Sequence, residues 1–445
     1  MKKTLTMLLT GLLSAVSIPA FAAADDDIFY ISETLLDASN AVTLGLSPAP
    51  GTETFTVFSP SDGTDHFSNG IVLAHFKDAL YCMWQSSRTD EDAADTWVAY
   101  ARSTDDGLTW TEPMVLCPTI DNGYVSSGGW LVTADRLVAY INTWPSGLSP
   151  KGGYTQFMTS ADGLTWTEPQ PVTMSDGTTL NGIFEQDPHV LPSGRILNAA
   201  HFQPGLKLQP IYTDDASGTT GWQRAQFAYQ SNGDQSRELE PSFYQKADGT
   251  LVMVCRDQKN SMHKLASVST DQGLSWSASR QTNFPDSRAK QSAGNLPDGT
   301  AFQVNNPIGQ TKPRTPLVVA LSADGTLFDR AFLLRSANDL PAQRYSGKSK
   351  TLGFSYPKSM VHNGFLYVAY STNKEDVEYT RIPLSSLTTG IHYVEADASG
   401  DGQATQEAIY APDGTRRSHL VPGLNLVRMR SAQGKTFVKK VFVEK

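Results

Sequence analysis

A short segment that closes with an aromatic residue recurs along this chain, and this repeat restricts the possible folds more than any other feature. Three close copies read STDDGLTW, SADGLTW and STDQGLSW, and two looser copies read TDDASGTTGW and SADGTLF. The closing aromatics are Trp110, Trp166, Trp222, Trp276 and Phe328. One signature per period of roughly 50 residues is typical of a propeller or another repeat array.

Each period also contains a predicted β-hairpin ahead of its segment. The copies SFYQKADGTLVMVCR and MVHNGFLYVAYS each place two apolar runs around an Asp-Gly or Asn-Gly turn. No window of comparable length shows a sustained helical period. Six such units lie between about Asp65 and Pro383, and strand-like stretches between Ile28 and Phe58 either complete a further blade or close the ring. We therefore predict an all-β propeller of six or seven blades over residues 28–385.

The repeated segment resembles the Asp box of sialidase-like propellers, in which Asp and Gly form a tight turn and the aromatic residue packs between sheets. Such boxes lie on the rim of the propeller, away from the central channel. We therefore expect the box residues to be structural and to carry no information about the reaction.

The two ends of the chain differ from the repeats. Lys2 and Lys3, a short apolar run and Ala20-Phe21-Ala22 form a secretory signal pattern, so we predict a signal peptide over residues 1–23 and a secreted, periplasmic or cell-surface protein. After the linker-like EADASGDGQ, residues 396–445 read as a small β module. The segments GTRR and GLNLVR and the Lys-Val-rich end resemble C-terminal sorting domains of Bacteroidetes-type secretion systems. This resemblance implies the secretion machinery as a partner, and an ordinary small β module is the alternative.

Composition excludes several classes of function. The net charge is −9 with no basic stripe, so nucleic acid is not an expected partner. Beyond the signal, no stretch has the roughly 18 apolar residues of a membrane-spanning helix. Cys82, Cys117 and Cys255 are scattered in apolar runs, so we expect buried thiols. No ligand cluster is legible, so neither a metal nor a cofactor is predicted.

The candidate site follows from propeller geometry. In each blade the start of the innermost strand and the end of the next strand lie on one face, around the central channel. Polar residues occupy these positions in every unit, which predicts a ligand site there. The candidates are His66, Asn69, Gln85, Asn142, Gln186, His201, Arg256, Lys290, Asn305 and Tyr370.

The first unit, from DHFSNGIVLAHF to STDDGLTW, resembles propeller enzymes that act on rhamnose–glucuronate linkages, namely L-rhamnose-α-1,4-D-glucuronate lyases, their relatives described as rhamnosidases, and the related ulvan lyases. The resemblance favours seven blades and implies an acidic polysaccharide or oligosaccharide as substrate, with His66 catalytic. β-Elimination on a uronate needs a base, an acid and a cation that neutralises the carboxylate. We assign proton transfer to His66, with His201 as a second candidate, and carboxylate binding to Arg256.

Two other functions stay open at this stage. An exo-sialidase needs three arginines around a carboxylate, an N-terminal Arg-Ile-Pro, a Tyr–Glu nucleophile pair and an Asp acid, but the Arg-Ile-Pro found here is at Arg381-Ile382-Pro383. A non-catalytic glycan-binding propeller would have the same polar channel without any need for proton transfer.

Overall fold

The structure is a computed structural model that describes residues 28–387, 405–411, 416–419, 421, 423–430 and 436–443. The chain divides into two compact units, one ending at Leu387 and the other beginning at Thr388. The predicted signal peptide and the linker-like segment lie outside the described residues.

The first unit contains six antiparallel blade sheets, five of four strands and one whose innermost strand is split in two. We number them as blades 1 to 6 and label their strands A to D from the channel outward. Strands A to D are, in blade 1, Phe67–Phe76, Ala79–Ser87, Trp97–Ser103 and Met114–Cys117; in blade 2, Gly123–Val132, Leu137–Pro145, Tyr154–Ser160 and Gln170–Pro171; and in blade 3, Gly182–Phe184 with His189–Val190, Ile196–Phe202, Lys207–Thr213 and Gln223–Arg224. They are, in blade 4, Glu238–Gln245, Leu251–Asp257, His263–Ser269 and Arg280–Pro285; in blade 5, Ser292–Asn295, Ala301–Asn305, Leu317–Ser322 and Arg330–Arg335; and in blade 6, Phe354–His362, Phe365–Thr372, Asp376–Pro383 and Glu53–Phe58.

The all-β propeller prediction is confirmed, but the preference for seven blades is not supported. Residues 28–387 form six blade sheets, which corresponds to the alternative of six. The early strand Glu53–Phe58 does not begin a separate blade, because it pairs antiparallel with Asp376–Pro383 and becomes the outer strand of blade 6. Strands from both ends of the unit thus close the ring, which removes an exposed sheet edge.

Short elements complete the description. They are the parallel pair Tyr30–Ile31 with Leu327–Phe328, the hairpin Ser231–Asn232 with Gln235–Ser236, the 3₁₀ turn Ala337–Asp339 and the helical turn Leu384–Leu387. The second unit forms one sheet with the strand order Arg416–Arg417, Thr405–Tyr410, Gly423–Arg430 and Thr436–Val443.

The boxes lock each blade to the preceding one. In the first copy, the hydroxyl of Ser103 donates to Asp105 at 2.7 Å, and the phenol of Tyr379 in blade 6 donates to the carbonyl of Gly107 at 2.7 Å. Trp222 and Phe328 are fully buried, whereas Trp110 and Trp166 are only partly buried. The box aromatics therefore occupy equivalent interblade places but with unequal burial. The three cysteines are buried and free, as expected.

Candidate active site

A β-bulge in the innermost strand places two polar side chains at the mouth of the channel. In blade 4 the pairing shifts between Leu239 and Ser242, and in blade 6 it shifts between Ser355 and Lys358. The extra residues begin with Glu240, at φ +53°, and Tyr356, at φ +60°. Both residues precede a proline.

This backbone conformation is strained. The same bulge position in blade 1 is occupied by Gly70, at φ +62°. A side chain in the left-handed region costs roughly 1–2 kcal/mol, which glycine avoids. Non-glycine residues held this way cluster at functional sites. The strain at Glu240 and Tyr356 therefore marks them as functional candidates.

Tyr356 lies among cations from two blades. The guanidinium of Arg314 is 4.7 Å from its ring centroid, and the ammonium groups of Lys374 and Lys290 are 5.1 and 5.4 Å away. Burial alone would raise the pKa of the phenol, but Arg314 and Lys374 outweigh burial and lower it. The phenolate form of Tyr356 is therefore more accessible than that of an ordinary tyrosine.

Glu240 is held from two sides. Arg256 donates to its carboxylate at 3.0 Å, and its backbone amide donates to Nε2 of His201 at 3.3 Å. Burial raises the pKa of Glu240, but the charges of Arg256 and Lys290 outweigh it, so the group is ionised at neutral pH. Because Nε2 of His201 accepts a hydrogen bond and burial lowers its pKa, this imidazole is neutral and positions Glu240.

Three guanidinium groups converge here. Arg256 is on strand B of blade 4, Arg288 precedes strand A of blade 5, and Arg314 is in the loop after strand B of blade 5. Burial and the charges of Arg256 and Arg314 lower the pKa of Arg288. Arg314 is 8% exposed, its guanidinium donates to the hydroxyl of Ser355 at 3.4 Å, and its Nε has no hydrogen-bond partner. This concentration of positive charge suits an anionic ligand.

A second layer of charge lies across the channel. Lys290 Nζ donates to the Glu185 carboxylate of blade 3 at 2.5 Å. Lys358, on strand A of blade 6, is 2% exposed, and its ammonium has no hydrogen-bond partner. Its charge interactions are with Asp187 and Glu185 of blade 3 and with Lys290.

A further carboxylate enters from the loop after strand B of blade 1. Lys374 Nζ donates to Oε1 of Glu91 at 2.6 Å, and the amide of Asn69 donates to the same oxygen at 3.1 Å. Lys374 also faces the ring of Tyr356, so it links Glu91 to the tyrosine. We call the following set the channel cluster: Glu91, Glu185, Asp187, Glu240, Arg256, Arg288, Lys290, Arg314, Tyr356, Lys358 and Lys374.

Four of the predicted site residues lie at this cluster. Arg256 and Lys290 belong to it, His201 accepts a hydrogen bond from the backbone amide of Glu240, and Asn69 donates to the carboxylate of Glu91. His66 does not join them by any contact in the described residues. Its ring stacks on Tyr345 at 3.8 Å and hydrogen-bonds to the carbonyl of Ser61 at 3.1 Å. Its proposed catalytic role therefore remains a prediction without a contact to the cluster.

The remaining predicted residues have structural contacts. Tyr370 is fully buried in the apolar core of blades 5 and 6 and makes no contact with the channel cluster in the described residues, so its role in shaping the pocket stays a prediction. Its phenol contacts Thr380 and Arg335. The other four are buried and mostly bound to backbone or side chains of their own or neighbouring blades; they are Gln85, Asn142, Gln186 and Asn305.

Sequence reasoning missed Glu240, Arg314 and Tyr356 as site residues. Glu240 and Tyr356 each lie near the start of an innermost strand, and each is a polar side chain followed by proline, which was a usable signal. Arg314 lies in a long loop, and nothing in its local sequence shows that it turns toward the channel.

Two observations concern metals and membranes. Within the residues that the structure describes, no group of three or more His, Cys, Asp or Glu side chains is arranged to hold a metal ion. No helix in these residues is long and apolar enough to cross a membrane.

Comparison with known proteins identifies the repeat. The sequence profile of the BNR repeat-like domain matches residues 78–368. The comparison with curated proteins gave no significant match.

Solved structures show the same fold. A protein of unknown function from Dyadobacter fermentans DSM 18053 is 14% identical, with a TM-score of 0.58 over 75% of this chain and 99% of that chain. A sialidase is 18% identical, with a TM-score of 0.57 over 81% of this chain, which spans only 35% of that protein. The intramolecular trans-sialidase from Ruminococcus gnavus, in complex with oseltamivir carboxylate, is 16% identical, with a TM-score of 0.55 over 77% of this chain and 99% of that chain.

Proposed function

This chain belongs to the BNR repeat-like domain family, and from that premise we propose that it is a carbohydrate-active enzyme that cleaves a glycosidic bond of a carboxylate-bearing sugar. The observation that carries the proposal is Tyr356, a strained channel residue whose pKa is lowered by Arg314 and Lys374 and which lies in the field of Glu240. The sialidase fold of the solved neighbours supports a glycosidase.

The steps follow from the cluster. Arg314, with Arg256 and Arg288, binds the sugar carboxylate. Glu240 takes the phenol proton, and the Tyr356 oxygen bonds to the anomeric carbon while the bond to the leaving group breaks, a nucleophile that sialidases use.

The leaving oxygen takes a proton from a solvent water, which is left as hydroxide. A second water then attacks the same carbon and gives one proton to this hydroxide, while the bond to the Tyr356 oxygen breaks. Glu240 returns its proton to the Tyr356 oxygen, which restores the phenol.

A second candidate is β-elimination on a uronate, as in the rhamnose–glucuronate lyases that the first blade resembles. The lowered pKa of Tyr356 favours this chemistry as well, because a phenolate beside a carboxylate-binding arginine can remove the C5 proton. Tyr356 would then take the role that the sequence assigned to His66. Both candidate reactions act on a carboxylate-bearing sugar. The glycosidic bond is hydrolysed in the first and broken by elimination in the second.

Product analysis separates the two reactions. Purified protein is incubated with a sialoside and with rhamnose-capped glucuronate oligosaccharides in water enriched in heavy oxygen. A glycosidase incorporates the heavy oxygen into the released sugar. A lyase incorporates none and leaves an unsaturated uronate that absorbs in the ultraviolet. Turnover of neither class of acidic glycan, nor of other carboxylated glycans, would leave the non-catalytic glycan-binding propeller as the explanation.

The matched variants are Tyr356→Phe and Tyr370→Phe. Both remove one phenolic oxygen, but only Tyr356 lies in the channel cluster. We expect Tyr356→Phe to lower kcat by at least about 10²-fold, and Tyr370→Phe to leave kcat within a small factor of wild type. If the protein is a glycosidase, a fluorinated sugar that traps the covalent intermediate should label Tyr356. If it is a lyase, the same sugar should not label it. Near-normal turnover in Tyr356→Phe would contradict both mechanisms.

We also propose that the protein acts outside the cytoplasm, with its C-terminal unit contacting the secretion machinery. The N-terminal signal pattern and the sorting-like segments of the tail support this. Deleting residues 396–445 should retain activity in vitro and change where the protein accumulates. Unchanged localisation of the deletion variant would contradict the role of the tail.

A further inference from the structure

The charges of the channel cluster do not balance. Among the described residues, the cluster has six cations, which are Arg256, Arg288, Lys290, Arg314, Lys358 and Lys374, and four carboxylates, which are Glu91, Glu185, Asp187 and Glu240. Three carboxylates are within 3.0 Å of one cation each. Six cations against four carboxylates leave an excess of two positive charges, and one sugar carboxylate neutralises only one of them.

Lys358 is the cation of the cluster whose ammonium group has no hydrogen-bond partner in the part of the protein that the structure describes. Asp187 is the opposite charge that acts most strongly on Lys358, but its carboxylate accepts the backbone amide of Trp130 at 2.7 Å and makes no ion pair with Lys358. An ammonium group that is buried without a hydrogen bond is costly. A protein retains such a group more readily when a ligand completes its contacts.

The location of Lys358 fits a ligand contact. Blades 3 and 6 are opposite each other in a six-bladed ring, so the charge interactions of Lys358 with Glu185 and Asp187 of blade 3 act across the channel. Lys290 connects this point to the reactive centre, because its ammonium is 5.4 Å from the ring of Tyr356 and 2.5 Å from Glu185. Lys290 is therefore close to both Glu185 and Tyr356, and Arg314 contacts the same ring at 4.7 Å.

We propose that the substrate sugar carries a second anionic group, a sulfate ester or a second carboxylate, and that Lys358 with Lys290 binds it. This rests on the proposed function, because it assumes that the arginines bind the first carboxylate. A singly charged sugar would leave Lys358 without a partner. A doubly charged sugar gives the cluster as many negative as positive charges.

Titration of Lys358 makes the subsite measurable. Burial lowers the pKa of Lys358 to about 8, although Asp187 acts in the opposite direction. The charged groups that face it are Asp187 and Glu185, which favour the ammonium form, and Lys290, which disfavours it. An anion that binds Lys358 favours the charged form and raises its pKa, so binding near pH 8 must take up protons.

The experiment is calorimetric titration at pH 8 in two buffers with different ionisation enthalpies. The probes are methyl glucuronide, its O-sulfate, glucarate and inorganic sulfate. The variants are Lys358→Met and Arg314→Met, each of which removes one cation. We expect the wild type to bind a doubly charged sugar at least about tenfold more tightly than methyl glucuronide, with proton uptake.

In Lys358→Met the preference and the proton uptake should both disappear, while methyl glucuronide still binds. Equal affinities in the wild type, or a preference that persists in Lys358→Met, overturn the subsite. The second anionic group is identified by which probe, the O-sulfate or glucarate, binds more tightly relative to methyl glucuronide. If methyl glucuronide fails to bind at all, the proposed carboxylate site is wrong. Inorganic sulfate still tests Lys358 in that case, because a wild type that shows no proton uptake with sulfate overturns the subsite.

Discussion

Replacing Arg314 with methionine should weaken ligand binding and at the same time stabilise the folded protein. Arg314 is 8% exposed, and no carboxylate pairs with it among the described residues. Desolvating an unpaired cation costs several kcal/mol after relaxation. The variant loses the contact of the guanidinium with Tyr356 at 4.7 Å, which contributes roughly 0.5–2 kcal/mol. The difference predicts a gain of about 1–3 kcal/mol in the free energy of unfolding.

The control variant, Arg237→Met, should change the free energy of unfolding in the opposite direction. Arg237 makes two hydrogen bonds to Asp257, at 2.8 and 2.7 Å, and the side chain of Asp257 is 1% exposed. Arg237→Met leaves this carboxylate buried and unpaired, which should cost about 3–5 kcal/mol. The substitutions are chemically identical, so the difference reports only whether the guanidinium has a partner.

Urea denaturation of the two variants and the wild type provides the measurement. A higher midpoint at an unchanged slope is the expected result for Arg314→Met, and a lower midpoint for Arg237→Met. Destabilisation of Arg314→Met by more than about 1 kcal/mol would show that the guanidinium supports the fold, and the charge argument would then be refuted.

Two further predictions concern the boxes. Trp222→Ala should cost about 3–5 kcal/mol of unfolding free energy, because the indole is fully buried and donates to the carbonyl of Gly218 at 2.8 Å. Trp166→Ala should cost less because Trp166 is partly exposed. Equal losses of stability in denaturation would contradict this. Hydrogen bonds from Thr109 and Ser103 lower the pKa of Asp105 to about 2, so its contribution to stability is complete above the usual pKa of 3.8 and is lost as the pH falls toward 2. The stability difference between wild type and Asp105→Asn should therefore shrink over that interval, and a difference that does not depend on pH would count against it.

Much of the architecture was accessible from local sequence patterns. The repeated boxes and the hairpin turns specified an all-β array because both depend on residues close together in the chain. The burial of the cysteines followed from their apolar neighbours. The number of blades did not follow, since the pairing of Glu53–Phe58 with Asp376–Pro383 joins segments more than three hundred residues apart.

The site was only partly accessible. Arg256, Lys290, His201 and Asn69 were identified because strand ends converge in any propeller, but this rule cannot say which way a side chain turns. The bulge that turns Tyr356 into the channel is a shift in pairing between two strands, and Tyr370 on the next strand turns into the core.

The sequence by itself determined the repeat, the class of fold and the polar character of the channel, because these depend on residue type and local periodicity. Only the tertiary structure decided which charges meet. Glu240 of blade 4, Arg314 of blade 5 and Tyr356 of blade 6 act on one another because closure of the ring brings three blades to one axis. The physical reason is that electrostatic interactions depend on distance in space, and ring closure fixes those distances without a local trace in the sequence.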